Sequence, residues 1–199
     1  MLFVSYFLTI FVAQTNQMVF TEKKISITVL SAAFFIAFIS SCSTKESALA
    51  KYGPELESVM RSDLGTFRGF DLGVKMDTVL AKETGNASEA DEGYLYYEFK
   101  LADSNSYNIS YNFDEKGLNE IQSDIYVKNP ENTDKVFNSF KSYFDDHFGK
   151  NETHQGFTVW TVKSAKYGDV RINLSDESED LTIPGSPGKI ALWIYPDNE

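Results

Sequence analysis

Tyr94-Leu95-Tyr96-Tyr97-Glu98-Phe99-Lys100-Leu101 and Tyr107-Asn108-Ile109-Ser110-Tyr111-Asn112-Phe113 are the two stretches that decide the fold. In the first, Leu95, Tyr97, Phe99 and Leu101 alternate with Tyr94, Tyr96, Glu98 and Lys100. In the second, Tyr107, Ile109, Tyr111 and Phe113 alternate with Asn108, Ser110 and Asn112. Successive side chains of a strand point to opposite faces, so a period of two marks strands with one buried and one wet face. Asp114-Glu115-Lys116-Gly117 then reads as a hairpin turn, with Gly117 free to take positive φ. Leu118–Val127 returns as a third strand through Ile121, Ile125 and Val127, and Asn129-Pro130 ends it.

Downstream, the period changes. Val136, Phe137, Phe140, Tyr143, Phe144 and Phe148 follow the i, i+3, i+4, i+7 spacing of one helical stripe. Asn132 or Thr133 caps that helix, Asp134 suits its positive end, and Gly149-Lys150 closes it. Three more strands fit Phe157–Lys163, Asp169–Leu174 and Lys189–Tyr195, the last two separated by an acidic, then Pro/Gly-rich loop. Upstream, Pro54 and Glu55 open a short helix with Leu56, Val59 and Met60 on one face. Phe67–Leu72 reads as a short strand. A helix from about Lys75 to Thr84 turns Met76, Val79 and Leu80 inward, and Gly85–Glu92 is a loop.

The predicted class is α+β, with amphipathic helices packed on one face of a twisted antiparallel sheet. The order helix–strand–strand–strand occurs twice, over Lys75–Val127 and Asn132–Tyr195, which suggests two such units without any residue-level repeat. This order, with the Gly73 to Val79 spacing behind Phe67-Arg68-Gly69-Phe70-Asp71-Leu72, resembles small envelope lipoproteins of the BamE type. The doubled order is similar to the β-lactamase-inhibitor-protein arrangement. Both resemblances imply a protein that acts by binding other proteins.

The N-terminal part speaks to location. Lys23 and Lys24 precede the apolar run Ile25–Ile39, which is too short for the roughly 20 residues of a membrane-spanning helix and has the layout of an export signal. Ile39-Ser40-Ser41-Cys42 resembles the lipobox of bacterial lipoproteins. That resemblance implies cleavage before Cys42, lipid on its thiol and acylation of its freed amine. The plain secretory signal and the uncleaved membrane helix are the alternatives. Met1–Gln17 is apolar and carries no Lys or Arg, whereas Met18 opens a complete signal, so the reading places the start at Met18. A membrane hairpin made from both apolar runs is the other possibility. The segments are then 1–17 as a start-site extension, 18–41 as signal, 42–53 as tether and 54–199 as one α+β domain. Ser43-Thr44-Lys45-Glu46 resembles only poorly the acidic surface-display cluster of Bacteroidetes lipoproteins, so the leaflet stays open within an outer-membrane assignment.

Charge and composition narrow the function. Eighteen Lys and Arg stand against 29 Asp and Glu, a net charge of -11, which argues against nucleic acid as a partner. Removing residues 1–41 takes away Glu22, Lys23 and Lys24 and leaves the mature chain more acidic by one charge. A neutral or basic partner follows. Cys42 is the single cysteine, so neither an intrachain disulfide nor a cysteine nucleophile beyond the anchor is available.

Candidate chemistry is sparse. Asp145, Asp146, His147 and His154 are residue types that ligate divalent ions, although a His near a helix C-terminus is better explained by the helix dipole. Asp176 and Asp180 belong to an acidic run that invites a calcium reading. The sixth position of an EF-hand frame there is Leu181, not Gly, and the twelfth is Pro187, not Glu. Ser186 lies in a breaker-rich turn, unlike a hydrolase nucleophile. Tyr94, Tyr96, Trp160 and Trp193 read as lying opposite the main apolar set. They either form an exposed Tyr/Trp surface for a protein or sugar, or are covered by a second layer or shifted in phase by one residue. The sequence thus leads to a non-enzymatic, lipid-anchored envelope lipoprotein that binds a protein and needs no cofactor beyond its lipid. A small-ligand or glycan binder is the alternative, and a carboxylate-dependent hydrolase stands third.

Overall fold

The structure is a computed structural model that describes residues 47–180 and 185–197. The expectations for Met18, the export signal and Cys42 fall outside the described residues. Eight strands form one antiparallel sheet: β1 Glu89–Asp91, β2 Tyr94–Lys100, β3 Ser106–Asp114, β4 Gly117–Val127, β5 Glu152–His154, β6 Phe157–Ser164, β7 Gly168–Asp176 and β8 Gly188–Pro196. Their spatial order is β1-β2-β3-β4-β8-β7-β6-β5. Two meanders therefore meet where β4 pairs with β8. Three α-helices accompany the sheet among the described residues: α1 Pro54–Met60, α2 Met76–Lys82 and α3 Thr133–Phe148.

The expected α+β class with two helix–strand–strand–strand units is overturned by this topology. The chain is sheet-dominated, and its strands belong to one continuous sheet rather than two. Pairing Ile121 with Ile194 and Ile125 with Ile190 fuses the two runs. Two charged tripeptides, Glu89-Ala90-Asp91 and Glu152-Thr153-His154, join as edge strands by backbone hydrogen bonding. They carry no alternation that periodicity could detect. Short, exposed, charged strands at both edges discourage further pairing with another chain.

The core lies against one face. Leu95, Tyr111, Ile121, Ile194, Ile172 and Trp160 stand in register across six strands, all essentially buried. Helix α3 lays Val136, Phe140, Tyr143 and Phe144 on the β6–β8 half, and the Phe144 ring meets Trp160 at 5.1 Å between centroids. The β2–β3 half is not covered by a matching helix. The α2 helix is only seven residues long and inserts Val79, whereas Leu80, expected inward, is 44% exposed.

An irregular segment takes that role instead. Phe67-Arg68-Gly69-Phe70 is a tight turn closed by hydrogen bonds between Phe67 and Phe70 in both directions. Its two central residues have positive φ, 54° at Arg68 and 84° at Gly69, as a type I′ turn demands. The expected strand over Phe67–Leu72 is therefore a turn with one isolated bridge. Phe70 packs edge-on against Tyr111.

Arg68 is buried beneath this turn and forms a bidentate pair with buried Glu83, at 2.7 Å for both Nε–Oε1 and Nη2–Oε2. Arg61 reaches the same carboxylate at 3.0 Å, and the Tyr111 hydroxyl donates to it. The other side of the guanidinium donates to the Val59 carbonyl and to Tyr107 Oη, and it lies over the Phe99 ring. Burial alone would raise the Glu83 carboxyl, but hydrogen bonds and charge from Arg68 outweigh it and hold it below its ordinary value.

Glu83→Ala leaves Arg68 buried without its counter-charge, and a loss of about 3–5 kcal/mol in urea unfolding is expected. Because the folded Glu83 value is depressed, its contribution is present above the unfolded value near ~4.3 and disappears as pH falls through the folded one. The stability gap between wild type and Glu83→Gln should therefore narrow on acidification below about pH 4, read by denaturant midpoints across pH. A gap that is constant with pH would show that the carboxylate charge is not what holds the turn.

Candidate functional site

The wet face of the sheet is where the remaining aromatic side chains gather. Paired residues of neighbouring strands share a face. Tyr96, Ser110, Gln122, Trp193, Asn173 and Val159 therefore form one transverse row on the side away from the core. Tyr94 and Tyr195 flank this row, and Tyr126 lies further along β4 on the same side. The three helices all pack on the opposite side, so no described secondary structure covers this face. Trp193 is 38% exposed and packs on Tyr195 at 4.6 Å between centroids. Tyr96 and Trp193 are three strand spacings apart, about 14 Å. Polar Ser110 and Gln122 lie between them.

Hydrogen bonds orient these rings. Tyr94 Oη and Ser110 Oγ are 3.3 Å apart, Tyr96 donates to Glu98 at 3.4 Å, and Tyr126 donates to Asp124 at 3.4 Å. Burial raises the Tyr96 and Tyr126 hydroxyls above their ordinary value, and the neighbouring carboxylates Glu98 and Asp124 raise them further. Charge on the face is unbalanced. Lys189 is held by Glu177 at 2.8 Å and Asp124 at 3.3 Å, and Arg171 by Asp197 at 2.8 Å. Glu89, Asp91, Glu98 and Glu120 add carboxylates toward the Tyr94–Tyr96 end, with no ion pair to any of them among the described residues.

Between Trp193 and Lys189, the small side chain of Ala191 floors a hollow of about 340 Å³. Asp124 and Ser175 stand on either side of Ala191 in register. Asn173 also lines the hollow and is 7% exposed. Its Nδ2 donates to Tyr195 Oη at 3.0 Å, whereas its Oδ1 has no hydrogen-bond partner among the described residues.

Of the sequence-predicted aromatic set, Tyr94, Tyr96 and Trp193 come together here and Trp160 does not. Trp160 is 1% exposed and belongs to the core row, where its indole N–H donates to Asp145 Oδ1 at 3.0 Å. In β6 both phases are apolar, with Phe157 and Val159 on one and Trp160 and Val162 on the other, so alternation cannot choose. Contact with α3 decides it. Tyr195 and Tyr126 were legible, since the phase that turns Trp193 outward also turns Tyr195, and Ile125 and Val127 bracket Tyr126. Asn173 carried no such signal.

The Asp145, Asp146, His147, His154 group is dispersed. Asp145 accepts from Trp160, Asn151 and Lys141, and Asp146 from Tyr52 and Lys51. His147 Nδ1 is 2.8 Å from the Tyr143 carbonyl, within the last turn of its own helix, and His154 lies on edge strand β5. Asp176 accepts from the Ser178 backbone N–H, and the Asp180 side chain lies outside the described residues. Among the described residues, no three His, Cys, Asp or Glu cluster as a metal site. Compared with protein-family models, curated proteins and solved structures, the chain matches none.

The contrast between the two tryptophans is measurable. Trp193→Phe should leave a blue-shifted emission nearly inaccessible to iodide, because only buried Trp160 remains. Trp160→Phe should leave emission that iodide quenches readily. Equal quenching in the two variants would mean that the β6 or β8 phase is wrong.

Proposed function

We propose that this protein is a lipid-anchored envelope lipoprotein, held in the outer membrane through Cys42, that binds another protein with the open face of its sheet. The observation that carries the reading is exposed Trp193, packed on half-buried Tyr195, sharing one sheet face with Tyr94 and Tyr96. Tyrosine and tryptophan supply large contact area with few rotatable bonds and a polar tip, which suits them to protein interfaces. Leu49 and Tyr52, within the span read as tether, are buried in the core. The link from a lipidated Cys42 to Leu49 thus spans at most about 25 Å when fully extended. A domain held that close to a membrane meets envelope proteins rather than distant soluble ones.

Two experiments test the reading. Intact mass measurement of the membrane fraction should find an N-terminus at Cys42 with added acyl mass, and Cys42→Ala should lose that mass. A mature form cut elsewhere overturns the anchor. Photo-crosslinking residues placed in cells at Tyr96 and Trp193 should capture one protein species, while the same group at exposed Asn138 on α3 should not. Equal capture from both positions, or from Asn138 alone, overturns the sheet face as the binding surface.

A further inference from the structure

The hollow over Ala191 has a chemistry more specific than the face around it. The charged groups in its lining carry a surplus of carboxylate. Asp124 and Glu177 place two carboxylates around one ammonium, that of Lys189. Ser175 does not redress the balance, because its hydroxyl already donates to Glu177 Oε1 at 3.1 Å. A surplus carboxylate calls for a positive charge. The exposed Trp193 ring forms one wall, and its face attracts a planar cation.

We infer that this hollow receives an arginine side chain from a cationic segment of the partner protein. The inference rests on the protein-binding reading above and names the partner's chemistry. Arginine is the one side chain with five N–H donors, no acceptor and a flat charged group that stacks on indole. A carboxylate or phosphate would meet Asp124 and Glu177 as like charges. A neutral sugar would bring no positive charge to balance Asp124 and Glu177. About 340 Å³ corresponds to roughly eleven waters at their liquid volume. That is ample for the seven heavy atoms of the arginine side chain with a few waters retained. Seated there, the guanidinium stacks on Trp193 and brings the Asp124–Glu177–Lys189 group to neutrality. Glu120 and Glu98, further along the face, give neighbouring basic residues of the same segment something to follow.

The test uses the full chain in detergent micelles, with binding measured by calorimetry and the site by the indole N–H resonances of its two tryptophans. The probes are a hexapeptide alternating arginine and serine, its citrulline and lysine counterparts, and a neutral N-acetylglucosamine tetramer. The arginine peptide should shift the Trp193 resonance saturably while leaving Trp160 in place. Citrulline should abolish binding, and lysine should weaken it about tenfold, since it keeps charge but loses the planar stack. Asp124→Asn, which removes one of the two carboxylates around Lys189, should weaken arginine binding about tenfold or more. Trp193→Ala, at an exposed position, should do the same and keeps the test open if the Asp124 variant fails to fold.

Arginine and lysine binding equally, with both variants at wild-type affinity, would overturn the inference, because attraction to a general negative surface would explain it. A Trp193 shift caused by the sugar and by no peptide would overturn it in favour of a glycan site. If the crosslinks from Tyr96 and Trp193 succeed and the peptides do not bind, the inference fails while the protein-binding reading stands. If the crosslinks fail and the arginine peptide binds, the hollow stands without that reading.

Discussion

Ile121 opposite Ile194 and Ile125 opposite Ile190 hold the molecule together as one sheet. Without this β4–β8 pairing, each meander would end in a bare central edge with unpaired backbone groups, and each would need its own hydrophobic cover. With it, one core serves both halves, and the Leu95-to-Trp160 row runs unbroken across six strands. It also has a consequence for function. The wet residues of both meanders share one face, so Tyr94 and Tyr96 from the first half lie level with Trp193 and Tyr195 from the second.

Cover for the buried face is unequal, and the two halves solve the problem differently. Over β6–β8, a sixteen-residue helix with an aromatic stripe does what hydrophobic burial ordinarily does. Over β2–β3, the chain has too little helix and uses a turn whose conformation is intrinsically strained at Arg68. A buried ion pair is poor as a net source of stability, but once formed it tolerates no missing partner. Arg68 and Glu83 therefore act as a latch that sets the place of the Phe67–Phe70 turn, and through Phe70 and Tyr111 the packing of the first half of the sheet.

The open face is polar as well as aromatic. Its carboxylates outnumber the cations that pair with them, and the hollow over Ala191 holds two carboxylates for its one ammonium. A face of this kind attracts a basic partner at long range and then selects among basic side chains by geometry. The small side chain of Ala191 is what admits depth at all, since a larger residue between Lys189 and Trp193 would fill the hollow.

The sequence by itself determined the strands β2, β3, β4, β6, β7 and β8 and the extent of α3, and it left the outward phase of Tyr94, Tyr96 and Trp193 as one of two readings. The strands and the helix follow from local periodicity, which the backbone of a strand or helix imposes on its own residues. It could not determine that the two strand runs form one sheet, because pairing of β4 with β8 joins segments far apart along the chain through backbone groups that every sequence possesses. Nor could it reveal β1 and β5, recruited by their neighbours' hydrogen bonds, or the phase of β6, where both faces are apolar and only contact with Phe144 turns Trp160 inward. The latch and the hollow are tertiary for the same reason. Arg68 meets Glu83, and Asn173 meets Tyr195 beside Trp193, only after the fold has brought distant residues within hydrogen-bonding reach.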